Sequence, residues 1–537
     1  MEMKTVKKPF FERNDSFLNH DINYYFDDLV AMTPDEFRDW VIEMRKTVVK
    51  IWDEEGNPPR TGKNENDIID EWNKMEGFPV QKTFTFTDEL SDIDDDVLIN
   101  RVRLGAEVDQ WFSTMMKTRI NYSDKDNGHS IYDLFADDKF LERMYKGSMR
   151  HFRRDSMYNH AKSAIRKDPK FSVVSVETGE EWIEAFYGSP TIFKGKGFIL
   201  EEVKMREGVN SGYHQLNQSD ILHLTKQQVL DYKEKGWLKY KNYSTFDVEN
   251  MPNNTVYNIR VYKTGEKIFP KGFASFRIGY IQVAHNYPPA TAKCIYERFT
   301  EHCKDEEVLN IYDPSAGWGG RILGAMSCRD DRVVHYIGTD PNPDNFYTVD
   351  SVVRSKYEDV AEFYNTRTYR GNSFLSEPNT YHIFQECAED IGNHPDFQRY
   401  RGCLDFIFTS PPYFNREAYS EDENQSYKKY GSSYESWRDG FLRPTLETCV
   451  EFLKPDRYLL WNIADLLVKG NYIPLEKDSK DILESLGMEY KYVLKMAMEG
   501  MPGQNRLDEN GVPKCKNFCK VNGTYYKYEP VFVYYKP

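Results

Sequence analysis

The chain has 537 residues and a net charge of −15, with 39% hydrophobic and 15% aromatic residues. This composition excludes a disordered chain and leaves room for about three domains. The acidic balance argues against a protein that grips a polyanion over its whole surface, so any surface that binds nucleic acid must be local.

The sequence contains no apolar run long enough to span a bilayer, and the first residues, Met1-Glu2-Met3-Lys4, lead into charged residues rather than into the apolar part of a signal peptide. We therefore expect a cytoplasmic protein without a membrane partner. The eight cysteines follow no disulfide framework and are expected to be reduced. Cys515 and Cys519 form the only close pair, and with no second pair or neighbouring histidine they predict no metal site.

Residues 1–270 predict a mixed α+β region. The pattern from Asp21 to Trp52 is helical, and Thr33-Pro34-Asp35-Glu36 offers an N-cap, a proline at the first helical position and acids for the first turn. Beyond residue 170, short runs such as Val256 to Tyr262 indicate strands.

The most basic part of the chain lies between residues 139 and 170. Helical spacing would gather several cations on one face, which suits contact with phosphates. A solvated charged helix explains the same pattern, and both interpretations remain open. The candidate phosphate contacts are Arg143, Lys146, Arg150, Arg153 and Arg154.

A glycine-rich turn follows the apolar run Val308 to Asp313, and an apolar stretch with helical spacing follows the turn. Glycine lets the backbone approach a ligand closely where a strand meets a helix N-terminus. The spacing is not that of the dinucleotide-binding GxGxxG motif. The turn contains Asp313, Pro314, Ser315, Gly317, Gly319 and Gly320.

A second apolar run, Val333 to Thr339, ends at Asp340, which is followed by Pro341 and Asn342. A carboxylate at the end of the second strand of a doubly wound sheet can accept hydrogen bonds from both hydroxyls of a ribose. Asp340, Pro341 and Asn342 are therefore candidate cofactor-binding residues.

The apolar run Phe406 to Thr409 stops abruptly at Ser410-Pro411-Pro412-Tyr413. This pattern predicts a buried strand that ends at a rigid turn. The prolines donate no backbone hydrogen bond, so carbonyl oxygens of the turn and the Ser410 oxygen can accept hydrogen bonds from a planar amine. The Tyr413 ring can stack on the face of the same ligand, as flipped bases are held.

The tetrapeptide from Ser410 to Tyr413, following the glycine-rich turn, resembles the motifs of the S-adenosylmethionine-dependent amino methyltransferases of DNA bases. The resemblance covers residues 271–537, roughly half of the chain. It implies an α/β, Rossmann-like class I methyltransferase domain with a mostly parallel sheet, closed by an antiparallel hairpin strand at Tyr525 to Tyr535. It also implies S-adenosylmethionine as cofactor and no metal. The resemblance makes Asp313, Pro314, Ser315, Gly317, Gly319 and Gly320 cofactor-binding residues, with Asp313 near the methionine portion of the cofactor.

By the same resemblance, the segment containing Pro288 lies against the methionine end of the cofactor. The third strand would end near Asn372 and Ser373, beside the adenine, where many relatives carry an acid instead of Asn372. The long polar segment from Asn415 to Trp437 is expected to be a mobile substrate loop.

The resulting hypothesis is a methyltransferase specific for a double-stranded DNA sequence, which flips its target base and modifies the exocyclic amine. In the family, Ser at the first position of the tetrapeptide is associated more with cytosine N4 than with adenine N6. Residues 1–270 would recognise the target, and a restriction or phage-defence system is a possible partner. Three alternatives remain: an adenine-N6 enzyme, an RNA methyltransferase, and a non-catalytic adapter on the same fold.

Overall fold

The computed structural model describes most of the C-terminal half and parts of the N-terminal half of the chain. The described residues are 4–5, 34–55, 65–86, 97–102, 104–120, 128, 130–137, 171–174, 181–185, 204–205, 221–224, 227, 257–260, 284–328, 332–367, 377–431, 433–468, 471–498 and 517–537. The basic stretch from Arg143 to Arg154 lies outside these ranges, as do Asn372 and Ser373.

The described strands are numbered in chain order. They are β1 (Lys4–Thr5), β2 (Phe84–Phe86), β3 (Val97–Ile99), β4 (Arg119–Ile120), β5 (Phe171–Val174), β6 (Glu181–Ala185), β7 (Lys204–Met205), β8 (Ile221–Leu224), β9 (Tyr257–Arg260), β10 (Val308–Asp313), β11 (Val333–Thr339), β12 (Phe346–Val349), β13 (Val352–Ser355), β14 (Thr380–Phe384), β15 (Leu404–Thr409), β16 (Glu417–Ala418), β17 (Leu453–Asn462), β18 (Leu466–Val468), β19 (Asn471–Ile473), β20 (Glu489–Ala497), β21 (Phe518–Val521) and β22 (Thr524–Lys536).

The described α-helices are numbered in the same way. They are α1 (Pro34–Glu55), α2 (Glu65–Glu76), α3 (Thr114–Lys117), α4 (Ile131–Ala136), α5 (Pro289–Phe299), α6 (Gly320–Met326), α7 (Lys356–Arg367), α8 (Ser426–Lys429), α9 (Tyr434–Trp437), α10 (Arg443–Phe452) and α11 (Leu475–Ser485). Helix α1 begins at the proline that the sequence predicts for its first position.

The central sheet has the strand order β14-β11-β10-β15-β17-β22-β20-β3-β2. Strands β14, β11, β10, β15 and β17 are parallel, and β22 lies antiparallel between β17 and β20. The predicted α/β class, the mostly parallel sheet and the antiparallel closing strand are therefore confirmed. After β10, the chain adds β11 and then β14 in one direction along the sheet. It then returns to add β15 and β17 next to β10 in the opposite direction. The carboxyl ends of the paired strands β10 and β15 thus lie at a topological switch point, where open α/β sheets bind ligands.

Strand β15 lies at the centre of the core, and all six of its residues are buried. Phe406 packs on one face of the sheet against Tyr296 and Phe299 of α5. Ile407 faces the opposite side, in a cluster that includes Leu446 of α10. Helices therefore cover both faces of the strand that leads into the Ser-Pro-Pro-Tyr turn, which explains its continuous apolar run.

The central sheet and the core each contain residues from both sides of the predicted boundary at residue 270. Strand β3 extends the sheet by pairing in parallel with β20, with Leu98 opposite Lys495. Trp72 of α2 stacks on Tyr364 of α7 with ring centroids 4.4 Å apart. Part of the N-terminal half is therefore built into the same core as the C-terminal half.

The third parallel strand is placed differently from the prediction. The strand that pairs with β11 is β14, which ends at Phe384. The predicted strand end, at Asn372, therefore lies too early in the chain. Four of the five residues of β14 are only partly buried or exposed, because it is the outer strand of the sheet. Because an edge strand has only a weak apolar pattern, sequence analysis did not identify β14.

None of the described helices is both long and apolar enough to cross a membrane. The cytoplasmic location stays a prediction. None of the seven described cysteines forms a disulfide bond, and six of them are buried.

We predict that Trp72→Ala destabilises the whole fold, because Trp72 is 2% exposed and packs on a helix of the C-terminal half. Truncation of such a side chain costs about 3–5 kcal/mol. Chemical denaturation followed by circular dichroism measures the loss. Ile42→Ala, at a position of α1 that is 43% exposed, is the control and should change little. A Trp72→Ala protein as stable as wild type would mean that α2 is dispensable for the core.

Candidate active site

The carboxylate of Asp313 joins the elements on both sides of the switch point. It is completely buried at the end of β10. Its Oδ2 accepts hydrogen bonds from Arg321 Nε of α6 and from the Tyr336 hydroxyl of β11, each 2.7 Å long. Its Oδ1 accepts one from Thr409 Oγ1 of β15, at 2.7 Å, and a longer one from Ser315 N. Asp313 thus fixes the glycine-rich turn to the strand that precedes Ser410.

Arg321 is 5% exposed on its side chain, and Asp313 is fully buried. Burial opposes the charge of Arg321, but the Asp313 carboxylate outweighs it and raises the pKa of the guanidinium. Breaking a buried pair of this kind costs about 3–5 kcal/mol, because the remaining charge is left without a partner. The Asp313 carboxylate therefore accepts hydrogen bonds from groups of the protein and fixes the conformation of the glycine-rich turn.

The glycines of the turn allow close packing of protein on protein. A Cβ atom at Gly319 would lie 2.4 Å from the Phe112 ring, and one at Gly320 would lie 2.1 Å from the Tyr287 carbonyl oxygen. The Tyr287 carbonyl belongs to the segment that contains Pro288, directly before α5. Gly317 has a φ of 64°, in the left-handed region that favours glycine. The turn, the Pro288 segment and residues of the N-terminal half are consequently in contact.

The Asp340 carboxylate lies beside the same turn. Its Oδ2 accepts hydrogen bonds from Tyr357 Oη at 2.7 Å and from Asn345 Nδ2 at 2.6 Å, and its Oδ1 accepts one from the Asn342 backbone N–H. The Tyr357 hydroxyl also lies 2.6 Å from the carbonyl oxygen of Gly317. Burial raises the pKa of Asp340, and these hydrogen bonds oppose the rise. Asp340 and the glycine-rich turn therefore form one polar unit.

The N-terminal half reaches this unit through α3 and the turn before it. Thr114 Oγ1 donates to Asn345 Oδ1 at 2.7 Å. Asn286 Nδ2 donates to Asp109 Oδ1 at 3.0 Å and to the carbonyl oxygen of Trp318 at 2.7 Å. Residues far apart in sequence thus build the wall of the site together with the glycine-rich turn.

The Ser-Pro-Pro-Tyr turn lies at the carboxyl end of β15. Ser410, Pro412 and Tyr413 are half-buried and Pro411 is buried. The Tyr413 hydroxyl donates to Glu529 Oε1 of β22 at 2.5 Å and lies 3.2 Å from the Asn462 carbonyl oxygen. These contacts fix the Tyr413 ring from its outer end.

The charge around Glu529 comes from both halves of the chain. Burial raises the pKa of Glu529, while the hydrogen bond from Tyr413 and the positive charge of Arg101, just after β3, oppose the rise. Burial also raises the pKa of Tyr413 well above its usual range, and the Glu529 carboxylate adds to the rise. Tyr413 therefore stays a neutral hydrogen-bond donor at physiological pH.

The segment from Asn415 to Trp437 contains short elements in the structure. Strand β16 pairs antiparallel with β4 of the N-terminal half. Arg119 of β4 forms ion pairs with Asp133 Oδ2, at 3.0 Å, and with Glu421 Oε1, at 2.9 Å. Tyr419 lies against Trp318 of the glycine-rich turn, with centroids 5.8 Å apart. The predicted mobility of this segment stays a prediction.

The structure thus brings the predicted residues of the glycine-rich turn, of the Asp340 segment, of the Pro288 segment and of the Ser-Pro-Pro-Tyr turn to one edge of the sheet. Sequence analysis did not identify several residues that hold these segments in place. Arg321 could have been found as the one charge within the apolar stretch from Gly320 to Met326. Tyr357, Asn345 and Glu529 gave no local signal, since only the fold brings them to the site.

No family model matches the sequence, and no curated protein shows significant similarity to it. Similar solved structures include TrmN from Thermus thermophilus, with 13% identity and a TM-score of 0.24 over 46% of this chain and 49% of that chain. A protein assigned as a DNA modification methylase of the same organism, complexed with S-adenosyl-L-methionine, has 16% identity and a TM-score of 0.18 over 28% of this chain and 53% of that chain. The precorrin-6y C5,15-methyltransferase of Geobacter metallireducens has 10% identity and a TM-score of 0.23 over 45% of this chain and 87% of that chain. The matches span about half the length of the first two structures, and likeness this low assigns no activity to this chain.

We predict that Tyr413 and Glu529 are energetically coupled, because a hydrogen bond to a charged group is worth about 1.5–3 kcal/mol. A double-mutant cycle of Tyr413→Phe and Glu529→Gln, measured by denaturant unfolding, should give a coupling smaller than that value, because Gln keeps an acceptor for Tyr413 and loses only the charge. Tyr419→Phe with Glu529→Gln is the control, since the Tyr419 hydroxyl donates to Glu417 instead. Additive effects of Tyr413→Phe and Glu529→Gln would contradict the assignment.

Proposed function

We propose that the protein is an S-adenosylmethionine-dependent methyltransferase that modifies the exocyclic amine of a base in double-stranded DNA, with cytosine N4 favoured over adenine N6. The observation that carries the proposal is the meeting of the glycine-rich turn and the Ser-Pro-Pro-Tyr turn across the switch point. Asp313 links the two turns through Thr409, at 2.7 Å. A cofactor held by the first turn and an amine held by the second would therefore be neighbours.

The residues present suit the proposed cofactor. Asp340 offers carboxylate oxygens to the two ribose hydroxyls, and it is positioned by Tyr357 and Asn345. Gly317, in the turn before α6, and Pro288, in the segment whose Tyr287 carbonyl lies against Gly320, would line the cofactor. The cofactor supplies a methyl group that is already activated by its sulfonium, so the chain needs neither a metal nor a covalent nucleophile.

The task of the protein is to orient a weakly nucleophilic amine. The lone pair of an aromatic amine is delocalised into the ring. Hydrogen bonds from its two N–H groups to the Ser410 oxygen and to a carbonyl oxygen of Pro411 or Pro412 favour a pyramidal nitrogen. Fixed acceptors of this kind also stabilise the positive charge that develops on the nitrogen. The Tyr413 ring, held by Glu529, is already oriented before the base arrives.

The DNA substrate rests on the resemblance of the Ser-Pro-Pro-Tyr turn and not on a described DNA-binding surface. The basic residues predicted to contact phosphates lie outside the described residues, and their role stays a prediction. A base in a duplex must leave the stack to reach the turn, which implies base flipping. An RNA substrate is the alternative, and methyl transfer to duplex DNA compared with structured RNA separates the two.

We predict that Asp340→Asn weakens S-adenosylmethionine binding at least about tenfold, since hydrogen bonds to a charged acceptor are worth about 1.5–3 kcal/mol. Asparagine is preferred to alanine here because it keeps an acceptor for Tyr357 and Asn345. Calorimetry measures the affinity, with Asp344→Asn, at an exposed neighbouring position, as the control. Unchanged affinity in a folded Asp340→Asn protein would remove Asp340 from the cofactor site.

We predict that duplex DNA incubated with the protein and methyl-labelled cofactor carries the label in N4-methylcytosine. Mass spectrometry of the nucleosides identifies the product, and structured RNA is tested in parallel. Ser410→Ala should lower the rate by roughly 10²–10³, as loss of one preorganised hydrogen-bonding group does. Ser485→Ala, on α11, is the control.

Label in N6-methyladenine alone would refute the cytosine assignment and leave the amine chemistry intact. Label in 5-methylcytosine would refute both, because that carbon chemistry needs a cysteine nucleophile. Label in RNA alone would move the proposal to an RNA substrate.

A further inference from the structure

The turn that follows the Ser-Pro-Pro-Tyr sequence has an unfavourable backbone conformation. The Arg416 backbone N–H donates to the Tyr413 carbonyl oxygen at 3.0 Å and closes a tight turn. Phe414 within it has a φ of 49°, which a bulky side chain rarely adopts. The Phe414 ring is buried and packs against Tyr434 and Trp437, with centroids 5.6 and 5.8 Å apart. This packing holds the turn in a conformation that its backbone disfavours.

Asn415 occupies the next position of this turn. Within the part of the chain that the structure describes, its side-chain Oδ1 is buried and accepts no hydrogen bond. A buried acceptor without a partner lowers stability, so native proteins contain few of them and each needs a reason.

The polar side chains on either side of Asn415 already have partners. The Tyr413 hydroxyl donates to Glu529, and Glu417 Oε2 accepts from the Tyr419 hydroxyl at 2.7 Å. Asn415 lies between these two residues in the chain, in the segment that directly follows the Ser-Pro-Pro-Tyr turn. The carboxyl end of β15, next to the switch point, is where a ligand is expected.

We propose that Asn415 binds the methyl-accepting nucleic acid, with its side-chain oxygen accepting a hydrogen bond from an N–H or O–H group of the nucleotide held beside Tyr413. This inference rests on the proposed function and adds a specificity residue outside the Ser-Pro-Pro-Tyr turn. The strained turn is then a device that holds the tyrosine and the acceptor at a fixed separation. The hydrogen bond that the free protein lacks is made when the substrate binds.

The test compares Asn415→Ala with Asn415→Asp, which keeps an oxygen acceptor of the same size. The control is Asn424→Ala, at an exposed position of the same segment. The melting temperature, the cofactor affinity, and kcat and KM for duplex DNA are measured for each full-length protein.

For Asn415→Ala we expect a melting temperature equal to or above that of wild type, because an unpaired buried acceptor is removed. We expect kcat/KM for DNA to fall about five- to tenfold, mainly through KM, as the loss of one neutral hydrogen bond implies. Cofactor affinity should not change. Asn415→Asp should stay closer to wild type than Asn415→Ala, and the control should match wild type.

An Asn415→Ala protein with unchanged kcat and KM for DNA would overturn the inference. A lowered melting temperature with unchanged KM would also overturn it, because the side chain would then serve the fold alone. A wild-type protein that transfers no methyl group to any nucleic acid would instead refute the proposed function.

Discussion

The buried carboxylate of Asp313 is the interaction on which the geometry of the site depends. It takes hydrogen bonds from Arg321 of α6, Tyr336 of β11 and Thr409 of β15. A buried charge with this many partners tolerates little movement, because any lost contact leaves a desolvated charge unpaired. The start of α6 and the end of β15 are therefore fixed relative to each other. In the proposed reaction, that separation sets the distance between methyl donor and amine.

Hydrogen bonds from hydroxyl groups connect further residues of the site to the two turns. Tyr357 connects the Gly317 carbonyl to Asp340, and Tyr413 connects the Ser-Pro-Pro-Tyr turn to Glu529. Thr114, from the N-terminal half, reaches Asp340 through Asn345. The site is consequently a product of both halves of the chain, although the motifs lie in the C-terminal half.

Much of the central sheet could be predicted from the sequence, because β10, β11 and β15 are buried runs that end at acids or prolines. The positions of the glycine-rich turn, of Asp340 and of Ser410 followed from those ends. Strand β14 could not be predicted, since an outer strand needs no continuous apolar run. Glu529 and Tyr357 were also missed, because they reach the site through strand pairing and helix packing, which leave no local pattern.

The packing of the N-terminal half against the C-terminal half could not be predicted from the sequence, for a different reason. Phe112 packs against the position of Gly319, and Trp72 packs on Tyr364, yet both aromatics look in the sequence like ordinary core residues of a separate domain. Periodicity tells that a side chain is buried but not which segment buries it. The division at residue 270 was predicted from the motifs, and it stays a prediction.

The most direct measurement of the central claim is a crystal structure of the protein with S-adenosylmethionine. We expect the ribose hydroxyls on the Asp340 carboxylate, the methionine portion beside Gly317 and Pro288, and the methyl group directed toward Ser410. A cofactor bound elsewhere, or its methyl group directed away from the Ser-Pro-Pro-Tyr turn, would contradict the central claim.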